Sequence, residues 1–254
     1  MTIAESKQFE AYVAKGRRLG AYTFDFLIAD DIGRSWYDGS PEQALPERVW
    51  CMEHIREGMT VLDCGAHHGL MTVLFSLRTG PKGRVLAWDA LPGNAEVVRE
   101  NAALNGLRNV TVYAHALGER KEIVRYDHNF GNINVVSESA ASLNTIMVVP
   151  LDAEIEPGLH VDFLKLDVEG SELPALRGAS GVLAQRPIID LELHNFLFQD
   201  KVKELNEIAA ILAPLGYRYE VLGDVTGAVE SVGTVLDTAW LSQFYNPHVF
   251  CIPG

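Results

Sequence analysis

Residues 61–69, Val-Leu-Asp-Cys-Gly-Ala-His-His-Gly, carry a short apolar strand through two spaced glycines directly into a helical pattern. Gly65 lets the backbone turn tightly with a ligand against it, and Gly69 opens a helix whose free N–H groups favour a carboxylate or phosphate. Asp63 sets a carboxylate at the strand end. The bland alternative is a tight strand-to-helix turn in which Asp63 only caps the helix. From here on apolar runs and helical patterns alternate: strands at 60–64, 84–89, 109–115, 161–167 and 187–193, helices at 69–78, 94–105 and 171–184. Alternation on this scale predicts an α/β fold built on a mostly parallel sheet.

The strand at 84–89 ends in Asp89, and an acid at the tip of the next parallel strand is placed to accept both hydroxyls of a ribose. Two acids then bracket one nucleoside. The Gly-x-Gly-x-x-Gly fingerprint of NAD enzymes brings three glycines up to a pyrophosphate and has no acid at the position of Asp63. A carboxylate there suits a nucleoside that carries an ammonium group, so S-adenosylmethionine fits better than NAD.

The 254 residues, 48% hydrophobic and 22% charged, suit one globular unit with a full core. Lys and Arg number 21 against 34 Asp and Glu, a formal charge of −13, which argues against a large nucleic-acid footprint because phosphate backbones require clustered cations. A small-molecule acceptor is expected, with no membrane partner, and a homodimer is left open. The first residues lack the apolar core of a secretory signal, and no apolar run is long enough to span a bilayer, so a cytoplasmic protein is expected. Cys51, Cys64 and Cys251 are odd in number and lack CxxC spacing, which reads as three reduced thiols without a zinc site.

Residues 1–58 read as an N-terminal helical cap, with helical patches around Phe9-Tyr12-Val13 and from Pro46 to Glu57, and residues 59–254 as the catalytic unit. Pro46 suits the first turn of a helix, and Trp36 and Tyr37 between the patches are candidates to close over a ligand. Residues 116–160 are too long for a plain crossover; 121–126 and 145–150 read as short strands around the amide-rich loop 127–134, which either satisfies its own backbone or holds a polyol. A helix at 201–213 leads to strands at 217–222 and 248–252, predicted to pair as an antiparallel edge, with 223–233 as a loop.

A second cluster, Val161 through Glu172, places Asp167, Glu169 and Glu172 just after a buried strand. In an open parallel sheet ligands lie beyond the carboxyl ends of the strands, so Asp167 and Glu169 are expected beside the reacting group, whereas Glu172 suits a helix cap. The next strand ends Glu192-Leu193-His194, which puts a histidine beside that cluster and makes His194 the expected general base, oriented by Glu192 or by an acid of the Asp167–Glu169 pair. A divalent metal at Asp167 is the competing route; the metal-free one is preferred.

Taken together, residues 59–198 resemble the FkbM family of S-adenosylmethionine-dependent methyltransferases, in the segments 61–69, 151–152 with 163–172, and 186–194. His67-His68 stand where smaller or amide residues are common in the family, and Asp89 replaces the more usual glutamate. The resemblance implies a class I methyltransferase fold: a Rossmann-like, mostly parallel seven-stranded sheet with helices on both faces and an antiparallel last strand. It implies that S-adenosylmethionine is bound through Asp63, Gly65, His67, Gly69, Asp89, Ala116 and Asp167 and converted to S-adenosylhomocysteine. The expected reaction is methylation of a small-molecule hydroxyl, with His194, Asp167, Glu169 and Glu192 as the catalytic group and no metal required. An N-methyltransferase, a nucleic-acid methyltransferase and a non-catalytic cofactor-binding protein are the alternatives.

Overall fold

Successive side chains of a strand face opposite sides of its sheet, and a strand buried on both faces reads as a continuous apolar run. A computed structural model describes residues 9–38, 45–129, 132–135, 144–223 and 227–254. In it β1 (Tyr12–Leu19) and β2 (Tyr22–Ile28) form an antiparallel hairpin, followed by α1 (Asp31–Tyr37) and α2 (Pro46–His54). Then come β3 (Thr60–Cys64), α3 (Leu70–Thr79), β4 (Arg84–Trp88), α4 (Pro92–Leu104) and β5 (Val110–Tyr113). The insert contributes β6 (Ala116–Leu117), β7 (Glu122–Asn129), β8 (Asn132–Val135) and β9 (Thr145–Val149), before α5 (Leu151–Glu154) and β10 (Phe163–Leu166). The chain continues through α6 (Glu172–Arg177), α7 (Ser180–Ala184), β11 (Ile188–Glu192), α8 (Lys201–Leu212), β12 (Tyr217–Leu222), β13 (Val229–Gly233), α9 (Thr238–Leu241) and β14 (His248–Pro253).

The main sheet has the order β13-β12-β14-β11-β10-β3-β4-β5. Strands β11, β10, β3, β4 and β5 are parallel, and β14 runs antiparallel between β11 and β12. Leu62, Cys64, Leu164, Leu166, Ile189 and Leu191 pack on the face covered by α6, α7 and α8. Val61, Val85, Phe163 and Phe250 pack on the other, against Trp50 and Cys51 of α2 and Phe75 of α3. The hairpin lies outside α3, where Phe24, Phe26 and Ile28 meet Leu70, Val73 and Leu74.

Three expectations are corrected. Tyr12 and Val13 of the patch at Phe9-Tyr12-Val13 open a strand: in residues 22–28 the buried Phe24, Phe26 and Ile28 fall on every second position, and Gly20, at φ +55°, turns β1 back onto them. The cap is therefore a hairpin with two helices rather than a helical cap. The main sheet has eight strands rather than seven, because Val229–Gly233, inside the segment read as a loop, pairs with β12. Val229 and Val232 are half-buried and Glu230, Ser231 and Gly233 exposed, so no apolar alternation marks it, and edge pairing alone makes it a strand. The helix read at 171–184 is two, α6 and α7, interrupted at Gly178. Of the amide-rich segment, Phe130 and Gly131 lie outside the described residues, and Asp127–Asn129 and Asn132–Asn134 belong to β7 and β8.

Candidate active site

Chain order reverses between β3 and β10: β3 is followed outward by β4 and β5, β10 by β11 on the other side. Open parallel sheets bind ligands at such a reversal, beyond the carboxyl ends of the strands. A cavity of about 850 Å³ lies there, walled by both strand ends, by Trp36 and Tyr37 of α1, by Ala116 of β6 and by Tyr245 before β14.

The glycine turn builds one half. Gly65 has φ +92°, and a Cβ at this position would fall 1.6 Å from the carbonyl oxygen of Asp167, so the ends of β3 and β10 approach too closely for any side chain. Gly69 stands at φ +83° against Val98 of α4 and caps α3. The N–H groups of Gly65 and Ala66 both donate to the Trp88 carbonyl at 2.9 Å, which ties the turn to β4. His67, at φ +51°, donates its backbone N–H to Asp89 Oδ2 at 2.8 Å, and Leu91 N–H donates to Oδ1 at 2.9 Å. Burial raises the Asp89 carboxyl to about 7 against these two donors. Each carboxylate oxygen retains acceptor capacity, enough for two hydroxyl groups.

Asp63 is fully buried and accepts a hydrogen bond from the Thr72 hydroxyl through Oδ2. Its Oδ1 has no partner among the described residues, and burial raises the carboxyl to about 6 despite Lys165 and Thr72. A buried acceptor without a donor is destabilising, and a ligand ammonium relieves it. Gly65, the orphaned Asp63 oxygen and the Asp89 carboxylate thus fit a nucleoside that carries an ammonium group. The His67 ring lies in the same wall: its Nδ1 is 2.8 Å from the Tyr37 hydroxyl and it stacks on His68 at 4.1 Å. Burial, then the neighbouring His68, lowers its pKa to about 3, so the ring is neutral.

The acidic cluster and β11 build the other half. His194 is buried, with Nδ1 2.8 Å from Glu172 Oε1. Its Nε2 faces Glu169 at 3.2 Å, Asp167 at 3.8 Å and Glu192 at 3.9 Å. Burial opposes its charging, but the Glu172 hydrogen bond and the Asp167 charge prevail and raise it to about 9. The acids that bring the ring to the site also favour its protonated form, which opposes the role of general base expected for it. Glu172 is more than a helix cap, since its Oε1 meets His194 and also accepts from Gly170 N–H at 2.9 Å. Burial, then the Asp167 charge, raises Glu192 to about 7; its Oε1 accepts from Asn246 at 2.8 Å and it lines the cavity.

Beneath both halves runs an ionic row that the sequence did not reveal. Asp63, Lys165 and Asp190 occupy one register position across β3, β10 and β11, on the face under α2. Lys165 Nζ is 2.8 Å from Asp167 and 3.7 Å from Glu47 of α2. Burial would raise the Asp167 carboxyl, but Lys165, then His194, holds it below the usual range. Asp190 binds His248 Nδ1 at 2.8 Å, and His248 Nε2 stands 3.7 Å from Glu192. Despite burial, the Asp190 charge, followed by Glu47, raises His248 to about 10. Asp167, Glu192 and His194 offer ligand atoms within 4.8 Å of one another, as do Glu47, Asp190 and His248, so either trio has the composition for a divalent cation. Lys165 in the middle of an apolar strand was the one local signal for this row.

The structure therefore gathers Asp63, Gly65, His67, Asp89, Ala116, Asp167, Glu169, Glu192 and His194 around one cavity, with Gly69 behind it at the head of α3. Among the described residues no helix is long and apolar enough to cross a membrane. Structures with this fold include a candidate rRNA methylase from Clostridium thermocellum, 13% identical, covering 81% of this chain and 91% of that one with a TM-score of 0.51. An rRNA methylase from Streptococcus thermophilus is 9% identical over 81% of this chain and 92% of that one, with a TM-score of 0.50. No curated protein matches the chain by sequence. The methyltransferase FkbM domain matches residues 63–219, a span running from Asp63 through the glycine turn and the acidic cluster to β12. The chain belongs to the FkbM family of methyltransferases, whose cofactor is S-adenosylmethionine.

Proposed function

We propose that the chain transfers the methyl group of S-adenosylmethionine to a hydroxyl of a small-molecule acceptor. The observation that carries this reading is the Glu192 carboxylate, raised to about 7 and lining the same cavity as the glycine turn. A general base works best with a pKa near the operating pH, and a hydroxyl needs one, since its proton must leave as the new C–O bond forms. When bound, S-adenosylmethionine supplies an electrophilic methyl on a sulfonium and leaves as S-adenosylhomocysteine. Asp63 and Asp89 hold the ammonium and the ribose, and Asp167 and Glu169 face the transfer point. Glu192 takes the hydroxyl proton, while the His194 imidazolium is the fixed counter-charge that favours the ionised forms of Asp167 and Glu169. Holding oxygen and methyl in near-attack geometry contributes the rest, with effective molarities that reach about 10⁵–10⁸ M in oriented systems. The formal charge of −13 supports a small acceptor over a phosphate backbone.

Incubation with methyl-labelled cofactor and a fractionated host extract, followed by NMR of the labelled product, tests the reading. A methoxy signal is expected. Label on nitrogen would replace the hydroxyl acceptor, and label on RNA would replace the small molecule. A reaction abolished by chelation would move the chemistry to a cation at Asp167, Glu192 and His194.

A further inference from the structure

We propose that Arg48 binds the α-carboxylate of the cofactor's methionine end, a contact that lies outside the family match of residues 63–219 and rests on the cofactor reading above. The methionine end is a zwitterion. Asp63, with its unpartnered Oδ1, answers the ammonium, but the cavity is otherwise lined by Asp89, Asp167, Glu169 and Glu192, which repel a carboxylate. A cation within reach of the same cavity is the complementary partner for that carboxylate.

Among the described residues most cations in the cavity wall are already committed. Lys165 is held by Asp167 at 2.8 Å and Glu47 at 3.7 Å, and the His194 ring is enclosed by carboxylates. Arg120 is bonded to Glu122 at 3.1 Å with its side chain largely exposed. Arg48 differs: it is half-buried, it lines the cavity, and among the described residues its guanidinium makes no hydrogen bond or ion pair.

Its direction is also right. Glu47 of α2 reaches toward β10, and the next residue points about 100° around the helix from it. That is the side of Met52, one turn on, which packs against the cluster of α3 and the hairpin. Arg48 also shares the cavity wall with Leu70 and Met71, the first residues of α3. Its charge also acts on Tyr37, whose hydroxyl bonds His67 of that turn. The N–H of Gly69, the residue before the first turn of α3, is engaged by the Ala66 carbonyl at 2.7 Å. A guanidinium presents two parallel donors in the geometry of a carboxylate.

The test compares S-adenosylmethionine with its decarboxylated analogue, which keeps the nucleoside, sulfonium and ammonium, by calorimetry on the full chain. The wild type is expected to prefer the intact cofactor, and Arg48→Ala to lose roughly 10–100-fold in affinity for it while binding the analogue within about two-fold of wild type. Arg48→Lys should fall between. Binding of the analogue by Arg48→Ala doubles as proof that the variant is folded. An unchanged preference in Arg48→Ala would overturn the proposal, giving the carboxylate to the backbone of α3 and leaving Arg48 for an anionic acceptor. Equal weakening of both ligands would overturn it too, as a general structural effect. A wild type that binds neither ligand would instead refute the cofactor reading on which the proposal stands.

Discussion

A histidine two residues beyond a strand end, beside three acids, has the composition of a base, yet its protonation is decided by distances. His194 has carboxylate oxygens at 2.8, 3.2, 3.8 and 3.9 Å, and that field outweighs burial. In the proposed reaction the proton acceptor is Glu192, which burial and Asp167 raise to about 7. Glu192→Gln is accordingly expected to lower turnover by about two to four powers of ten while cofactor affinity changes only a few-fold. In the wild type kcat should rise with pH through about 7, as Glu192 loses its proton, and this limb should be absent in the variant. A limb that survives Glu192→Gln but vanishes in His194→Ala would return the role of base to the histidine.

The hairpin of β1 and β2 is held to the core by matched repeats of two different elements. One helical turn of four residues advances about 6 Å and two strand residues about 6.6 Å, so side chains at i and i+4 of a helix can meet i and i+2 of a strand. Asn101 and Asn105 of α4 do this. Asn105 exchanges hydrogen bonds with the Asp25 backbone at 2.9 and 2.7 Å, and Asn101 Oδ1 accepts from Leu27 N–H at 2.7 Å. The Asn101 amide also donates to the His68 carbonyl at 2.8 Å, which links the hairpin to the glycine turn. Asn101→Ala leaves the Leu27 N–H and the His68 carbonyl without this partner in a buried setting, at about 1–3 kcal/mol for each stranded group. Faster hydrogen exchange at Leu27, a lower Tm and weaker cofactor binding are expected together. A variant with unchanged exchange at Leu27 would show that apolar packing alone holds the hairpin.

Across the whole molecule the buried charges set the response to pH. The folded-state pKa of His194 is raised to about 9 and that of His248 to about 10, above the ordinary value of 6.5. Raised histidines contribute stability that is fully present below the unfolded pKa and is lost as pH rises through the folded one. Asp63 and Asp89, raised to about 6 and 7, act in the same direction at lower pH. The cofactor-free protein should therefore lose Tm steadily between pH 6.5 and pH 10, by about 5–10 °C in all, a slope that His248→Gln should reduce. A Tm that holds or climbs over this range would mean that the two histidines are neutral in the fold.

Much of the molecule was legible along the chain, because the features concerned are local. Glycines at a strand-to-helix turn, an acid at each strand end and apolar runs of strand length follow from backbone conformation and alternation within a few residues. The alternation of apolar runs with helical patterns implied the parallel sheet, and Asp63, Gly65, Gly69 and Asp89 pointed to the class of cofactor. Tertiary structure decided what depends on neighbours remote in the chain. It aligned Asp63, Lys165 and Asp190 in one buried row, paired β13 with an edge that carries no apolar alternation, and folded residues 12–28 as a hairpin on α3 and α4. It also set four carboxylates around His194, and since Coulomb energy depends on separation in space rather than along the chain, the charge of that ring was not written in its own segment.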